Sequence, residues 1–140
     1  MKQKTSPKIL VAIDESEYSR RAFQYACMIA LNKELPLQIV NVIEEHATVG
    51  RSILRELENS SKQILHKYQA RAKLLGVASV STVQSKGNPA EEILKIANIK
   101  NIDTVVVGSR GRYTTSKDIL LGSNSYKLVH YSKCTVIVVR

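Results

Sequence analysis

Apolar and polar residues follow one another along this chain in two rhythms. Residues 9–13, Ile-Leu-Val-Ala-Ile, form an unbroken apolar run that stops at Asp14. Runs of this length suit a strand buried on both faces, as in a parallel sheet. Ser16 then offers a helix cap and Glu17 an acid for the first turn, and Ala22, Phe23, Ala26, Cys27 and Ala30 follow at helical spacings. Pro36 separates that helix from a second strand over residues 37–42. A long helical pattern over about residues 52–75 repeats Leu54, Leu57, Ile64, Leu65, Tyr68, Ala72 and Leu75, with Gly76 placed as its C-terminal stop. Alternation over residues 77–83 predicts a third strand.

The second half continues in the same way. Asn88 is a candidate cap, Pro89 fits the first helical position, and Glu91 and Glu92 face the positive end of the helix dipole. Residues 102–107 form a fourth strand, residues 123–131 a last helix and residues 135–139 a fifth strand. The order βαβαβαβαβ implies a parallel sheet with helices on both faces, joined by right-handed crossovers. Ligands of such sheets bind beyond the carboxyl ends of the strands, where strand order switches. Asp14, the pair Asn41 and Val42, and Gly108 all fall at such ends.

Composition narrows the class without naming a function. The 140 residues are 44% hydrophobic and 24% charged, as in an ordinary globular domain, and residues 1–140 read as one domain behind a flexible, basic 1–7 segment. No apolar run approaches the ~20 residues that span a bilayer, and the N-terminus does not read as a signal peptide, so a cytoplasmic protein without membrane attachment is expected. Net charge is +9, which favours anionic partners, but the basic residues are scattered and aromatics are 5%. Nucleic acid is therefore a disfavoured partner. Cys27 and Cys134 form no CxxC pair, and Cys27 sits on an apolar helical stripe as an inert thiol would. His46, His66 and His130 share no metal-ligand spacing, so no metal site is expected.

The candidate chemistry lies late in the chain. A β-branched run ends at Gly108-Ser109-Arg110-Gly111, and Gly122-Ser123-Asn124-Ser125 opens the last helix. Glycines permit positive φ and close approach to a ligand. Unpaired N–H groups at a helix start attract anions. Together these suggest a phosphate cradle. The bland alternatives are a tight strand-to-loop turn at Gly108 and Gly111, a helix cap at Ser123 and at Asp14, and a solvated face for Arg110, Arg112 and Lys117. For phosphoryl transfer the loop offers Asp118 and hydroxyls but no clear base, so no catalytic residue is assigned.

With these pieces in order, the chain resembles the universal stress protein family over nearly its whole length. The resemblance rests on the opening Ile9 to Glu17 with its Asp-x-Ser turn, on Gly87-Asn88-Pro89, on Asp103 ahead of the fourth strand, and on the ending Val136-Ile137-Val138-Val139-Arg140. It rests most on the ATP-binding signature Gly-x2-Gly-x9-Gly-(Ser/Thr), matched by Gly108, Gly111, Gly122 and Ser123 with ten spacer residues, 112–121, instead of nine. The resemblance implies a flavodoxin- or Rossmann-like three-layer α/β fold with a five-stranded sheet in order 3-2-1-4-5. It implies a homodimer paired through residues Thr135 to Val139. It also implies ATP or a related adenine nucleotide as ligand, with or without Mg or Mn, held by Ala12, Ile13, Asp14, Val42, Gly108, Ser109, Arg110, Gly111, Arg112, Gly122, Ser123, Asn124 and Ser125. In that family pattern the acid after strand one meets the nucleoside, the backbone near Val42 meets adenine, and the glycine signature holds ribose and phosphates. The function implied is a nucleotide-binding regulator of the stress response, with at most slow ATP hydrolysis. The alternatives are a dimeric adaptor of the same fold that binds no ATP and a basic nucleic-acid-associating protein.

Overall fold

A computed structural model describes residues 6–44, 50–99, 101–109 and 122–140. The elements run β1 (Lys8–Ala12), α1 (Glu17–Lys33), β2 (Leu37–Ile43), α2 (Arg51–Leu74), β3 (Val80–Lys86), α3 (Pro89–Ile99), β4 (Ile102–Gly108), α4 (Ser123–Tyr131) and β5 (Thr135–Val139). All five strands are parallel, in the order β3-β2-β1-β4-β5. This is the order that the resemblance implied.

Each face of the sheet has its own core. On one, Ile9, Val11, Leu37, Ile39 and Val106 pack under Phe23, Ala26 and Cys27 of α1 and Leu65, Tyr68 and Ala72 of α2. Phe23 and Tyr68 meet edge to face at 4.7 Å between centroids, joining the two helices. On the other face, Leu10, Val40, Val105 and Val107 pack under Ile93 and Ala97 of α3 and Leu128 of α4. The odd and even positions of each strand divide between the two cores, as the pleat requires. Burial pushes the Cys27 thiol up to about 11, which fits an inert core thiol.

Helix boundaries follow local chemistry. Ser16 caps α1 by accepting from Ser19 N at 3.0 Å, and Asn88 caps α3 by accepting from Glu91 N at 3.1 Å. Gly76, at φ 99°, closes α2. The third strand departs from the expected 77–83 and lies three residues later. Val77 is buried at the helix stop instead, where its N–H bonds Ala72 O at 3.1 Å. The true strand ends in Gln84, Ser85 and Lys86. It is an edge strand whose polar positions gave no apolar signal.

Candidate functional site

The carboxyl ends of β1, β2 and β4, with the first turn of α4 and the middle of α2, surround a crevice of about 610 Å3. That volume lies within the range of small-molecule sites. It opens beside β1, which is flanked by β2 on one side and β4 on the other, so strand order switches there.

The β1 side is built by a closed ring of short hydrogen bonds. Asp14 N donates to Ser19 Oγ, Ser16 N donates to Asp14 Oδ1, and Ser19 N donates to Ser16 Oγ, all at 3.0 Å. The capping role weighed for Asp14 is thus realised in part: its carboxylate folds the turn that leads into α1. Asp14 also lines the crevice, together with Glu15 and Glu44. Glu15 holds φ 68°, a left-handed conformation that is uncommon outside glycine.

Further in, Asn41 is 9% exposed and bridges three elements. Its Nδ2 donates to Ile13 O at 2.7 Å, and its Oδ1 accepts from Ser61 Oγ of α2 at 2.6 Å. Asn41 was expected with Val42 at a ligand-facing strand end but not in the nucleotide-holding set, and Ser61 was in neither. The signal was present in Asn41, a lone amide inside an otherwise apolar strand end. Val42, the next residue, is the one position of β2 that is not buried.

The β4 side is made of backbone. Gly108 has no Cβ because α1 leaves no room for one. A Cβ there would stand 2.8 Å from Tyr18 Cβ and 2.9 Å from Tyr18 C. Gly122 is the N-cap of α4 at φ −68°, with no side-chain cap. Neither glycine adopts the positive φ expected of a phosphate loop, so the glycine requirement at Gly108 comes from helix packing. Ser123 follows Gly122 as the first residue of α4 and is not its cap. Ser125 Oγ donates to Gly108 O at 2.6 Å, Gly122 N donates to Ser109 O at 2.6 Å, and Ser109 N donates to Val139 O at 2.7 Å. These bonds fix the start of α4 against the ends of β4 and β5. At the far end of α4, Asn98 Nδ2 donates to Tyr131 O at 3.3 Å.

The first intrahelical bond of α4 is Tyr126 N to Gly122 O at 3.0 Å. The N–H groups of Ser123, Asn124 and Ser125 therefore precede the helical ladder. Among the expected site residues, Ala12, Ile13, Asp14, Val42, Gly108, Gly122, Ser123, Asn124 and Ser125 all line the one crevice. Ser109 does not: it is 2% exposed and is joined to Val139 and Gly122 through its backbone. Arg110, Gly111 and Arg112 lie outside the described residues.

Comparison with known proteins agrees with this geometry. A family model described as the universal stress protein family matches residues 6–140. The chain is 34% identical over 147 residues to the universal stress protein YxiE of Bacillus subtilis, covering 95% of this chain and 98% of that protein. It superposes on the universal stress protein UspA from Lactobacillus plantarum with a TM-score of 0.84 at 25% identity, over 99% of this chain and 100% of the other. A universal stress protein solved in complex with cAMP matches with a TM-score of 0.77 at 25% identity, over 98% and 99% of the two chains.

Proposed function

The chain belongs to the universal stress protein family, and we propose that its crevice binds an adenine nucleotide, ATP foremost, so that the protein acts as a nucleotide-dependent regulator in the stress response. One observation carries the reading. A single crevice presents the edge of β2 at Val42 on one side and the unladdered N–H groups of α4 on the other.

The β2 edge can be worked out from its bonds. Leu37 N reaches Ser79 O and Gly87 N reaches Ile43 O, so odd-numbered residues of β2 bond toward β3. Ile13 N reaches Val40 O, so even-numbered residues bond toward β1. The N–H and C=O of Val42 thus project on the side that β1 vacates when it turns away at Asp14. A donor and an acceptor on one residue match the N1 and N6 edge of adenine. At the other wall, the start of α4 suits phosphate, since its unpaired donors and dipole act together.

Charge supports one orientation. Asp14, Glu15 and Glu44 line the β1–β2 side and repel phosphate from it. The base and sugar then belong beside the acids, and the phosphates beside Gly122, Ser123, Asn124 and Ser125. In this reading Gly111 completes the phosphate side, as the family signature has it, and Arg110 and Arg112 add charge-assisted contacts.

The same reading makes the protein cytoplasmic and a homodimer. β5 is a half-exposed edge of β-branched residues from Thr135 to Val139, and such an edge pairs readily with a second copy. Among the described residues no helix is long and apolar enough to cross a membrane. Native mass spectrometry tests the ligand and the dimer together. Protein purified without added nucleotide and then given ATP should carry an added adenine-nucleotide mass on each chain of a two-chain species. No added mass at millimolar ATP would overturn the ligand and leave the dimeric adaptor as the better account.

A further inference from the structure

We infer that Asn41 is a positioning residue that keeps the Val42 N–H available for a base, and that it thereby sets the preference for adenine over hypoxanthine. This rests on the reading that the crevice takes an adenine nucleotide at Val42. The register of β1 with β2 ends at the pair Ala12 and Val40. One further bond follows, Ile13 N to Val40 O at 2.9 Å. In a regular parallel ladder the next bond would run from Val42 N–H to Ile13 O. That bond is not formed, because the register does not extend to an Ile13–Asn41 pair.

The acceptor it would use is taken by a side chain. Asn41 Nδ2 donates to Ile13 O at 2.7 Å. An amide can turn either end toward a carbonyl, and only the nitrogen end can donate. Ile13 O settles the choice, since a carbonyl only accepts and must face the nitrogen; Ser61 Oγ, able to donate or accept, then donates to Asn41 Oδ1 at 2.6 Å. Ser61 is itself 3% exposed and held by α2. The chain Ser61–Asn41–Ile13 therefore satisfies a buried carbonyl without the Val42 N–H.

The consequence for a ligand is specific. Adenine offers an acceptor at N1 and a donor at N6, which complement an N–H and a C=O of one residue. Hypoxanthine reverses both, offering a donor at N1 and an acceptor at O6. With Val42 N–H available, AMP should bind about ten- to a hundredfold more tightly than IMP, the usual discrimination of a well-placed bidentate pair. Without Asn41, Ile13 O recruits the Val42 N–H and the discrimination collapses.

The test replaces Asn41 and Ser61 together, by N41L with S61A. An apolar pair of similar shape can replace a buried hydrogen-bonded pair at little cost in stability. Two measurements are made on this variant and on the unaltered protein. Amide hydrogen exchange without ligand should find Val42 N–H fast in the unaltered protein and slowed at least about tenfold in the variant, as expected when an open amide joins a ladder. The AMP-to-IMP affinity ratio should fall toward one in the variant while both nucleotides still bind. S61A alone serves as a second variant, with an intermediate ratio expected because the Asn41 amide loses the partner that anchors its oxygen and holds Ile13 O less firmly. Val42 N–H already slow in the unaltered protein, or a ratio unchanged in the variants, would overturn the inference. A protein that binds neither nucleotide fails the ligand reading instead, and the exchange measurement then still decides the role of Asn41 on its own.

Discussion

On the β1–β2 side of the crevice, polar side chains hold the backbone in place. On the β4–α4 side, backbone holds backbone and side chains are small or missing. The first wall uses Asp14, Ser16, Ser19, Asn41 and Ser61, each hydrogen-bonded to a neighbouring loop, strand or helix. The second uses Gly108, pressed against Tyr18, and Gly122, the bare cap of α4. Side-chain chemistry can be varied residue by residue, so the first wall is suited to choosing a base. Backbone N–H groups are alike in every sequence, so the second wall is suited to a phosphate, which every nucleotide carries. The side chain of Ser125 is the one described link of side chain to backbone across the second wall, through Gly108 O.

The largest effect is expected from adding a side chain to Gly108. A Cβ would meet Tyr18 at 2.8 Å and 2.9 Å, the second contact being backbone of α1. G108V should cost about 2–3 kcal/mol by overpacking, read as a lower urea midpoint, and should weaken nucleotide binding with it. Unchanged stability with lost binding would mean that the glycine serves the ligand alone. Next in size is N41L by itself, which leaves Ser61 Oγ and Ile13 O without the amide that joins them. It should cost about 2 kcal/mol, whereas the double variant N41L/S61A should recover much of that loss. A double variant as unstable as the sum of its parts would show that the two residues act independently.

Smaller effects are expected from single hydroxyls in each wall. S125A removes the Oγ bond to Gly108 O and should cost about 1 kcal/mol, with a larger loss in phosphate affinity than in base discrimination. S16A removes the cap of α1 and should cost about 1 kcal/mol. The smallest effect lies at the opposite end of the sheet, away from the crevice. There the Thr104 hydroxyl and then Lys33 hold the Asp103 carboxyl below its ordinary value. A carboxyl lowered on folding stabilises the native state fully at neutral pH, and the contribution is lost as pH falls below about 4. D103N should therefore flatten the acid limb of a stability profile slightly and leave nucleotide affinity untouched.

Most of the fold was legible in the chain because apolar periodicity and caps agreed at nearly every element. The four helices start where Ser16, the stretch after Gly50, Asn88 and Gly122 place them. β1, β4 and β5 fall within a residue or two of their apolar runs. β3 was misplaced because an edge strand is only half covered, so polar residues such as Gln84 and Lys86 belong to it as readily as valines do. Strand order itself came from family resemblance, since periodicity carries no information about which strands are neighbours.

The site was legible unevenly. Asp14, Val42 and Gly122 to Ser125 stand where strand ends and a helix start put them. Ser109 sits in the middle of the glycine signature, yet it is buried outside the crevice lining, with its N–H bonded to Val139 O. The contact that forbids a Cβ at Gly108 comes from Tyr18, ninety residues earlier, and no local pattern shows it. Asn41 and Ser61 are twenty residues apart, and only the fold brings α2 back over β2 to join them. Pairings of this kind leave no periodic trace in a single sequence.

Nucleotide binding is tested most directly by calorimetric titration of nucleotide-stripped protein with ATP, paired with chemical unfolding in the same buffer. Binding in the crevice gives a saturating heat with one site per chain and, at about 100 times Kd, roughly 2.7 kcal/mol of added stability. No heat and no added stability at millimolar ATP would contradict it.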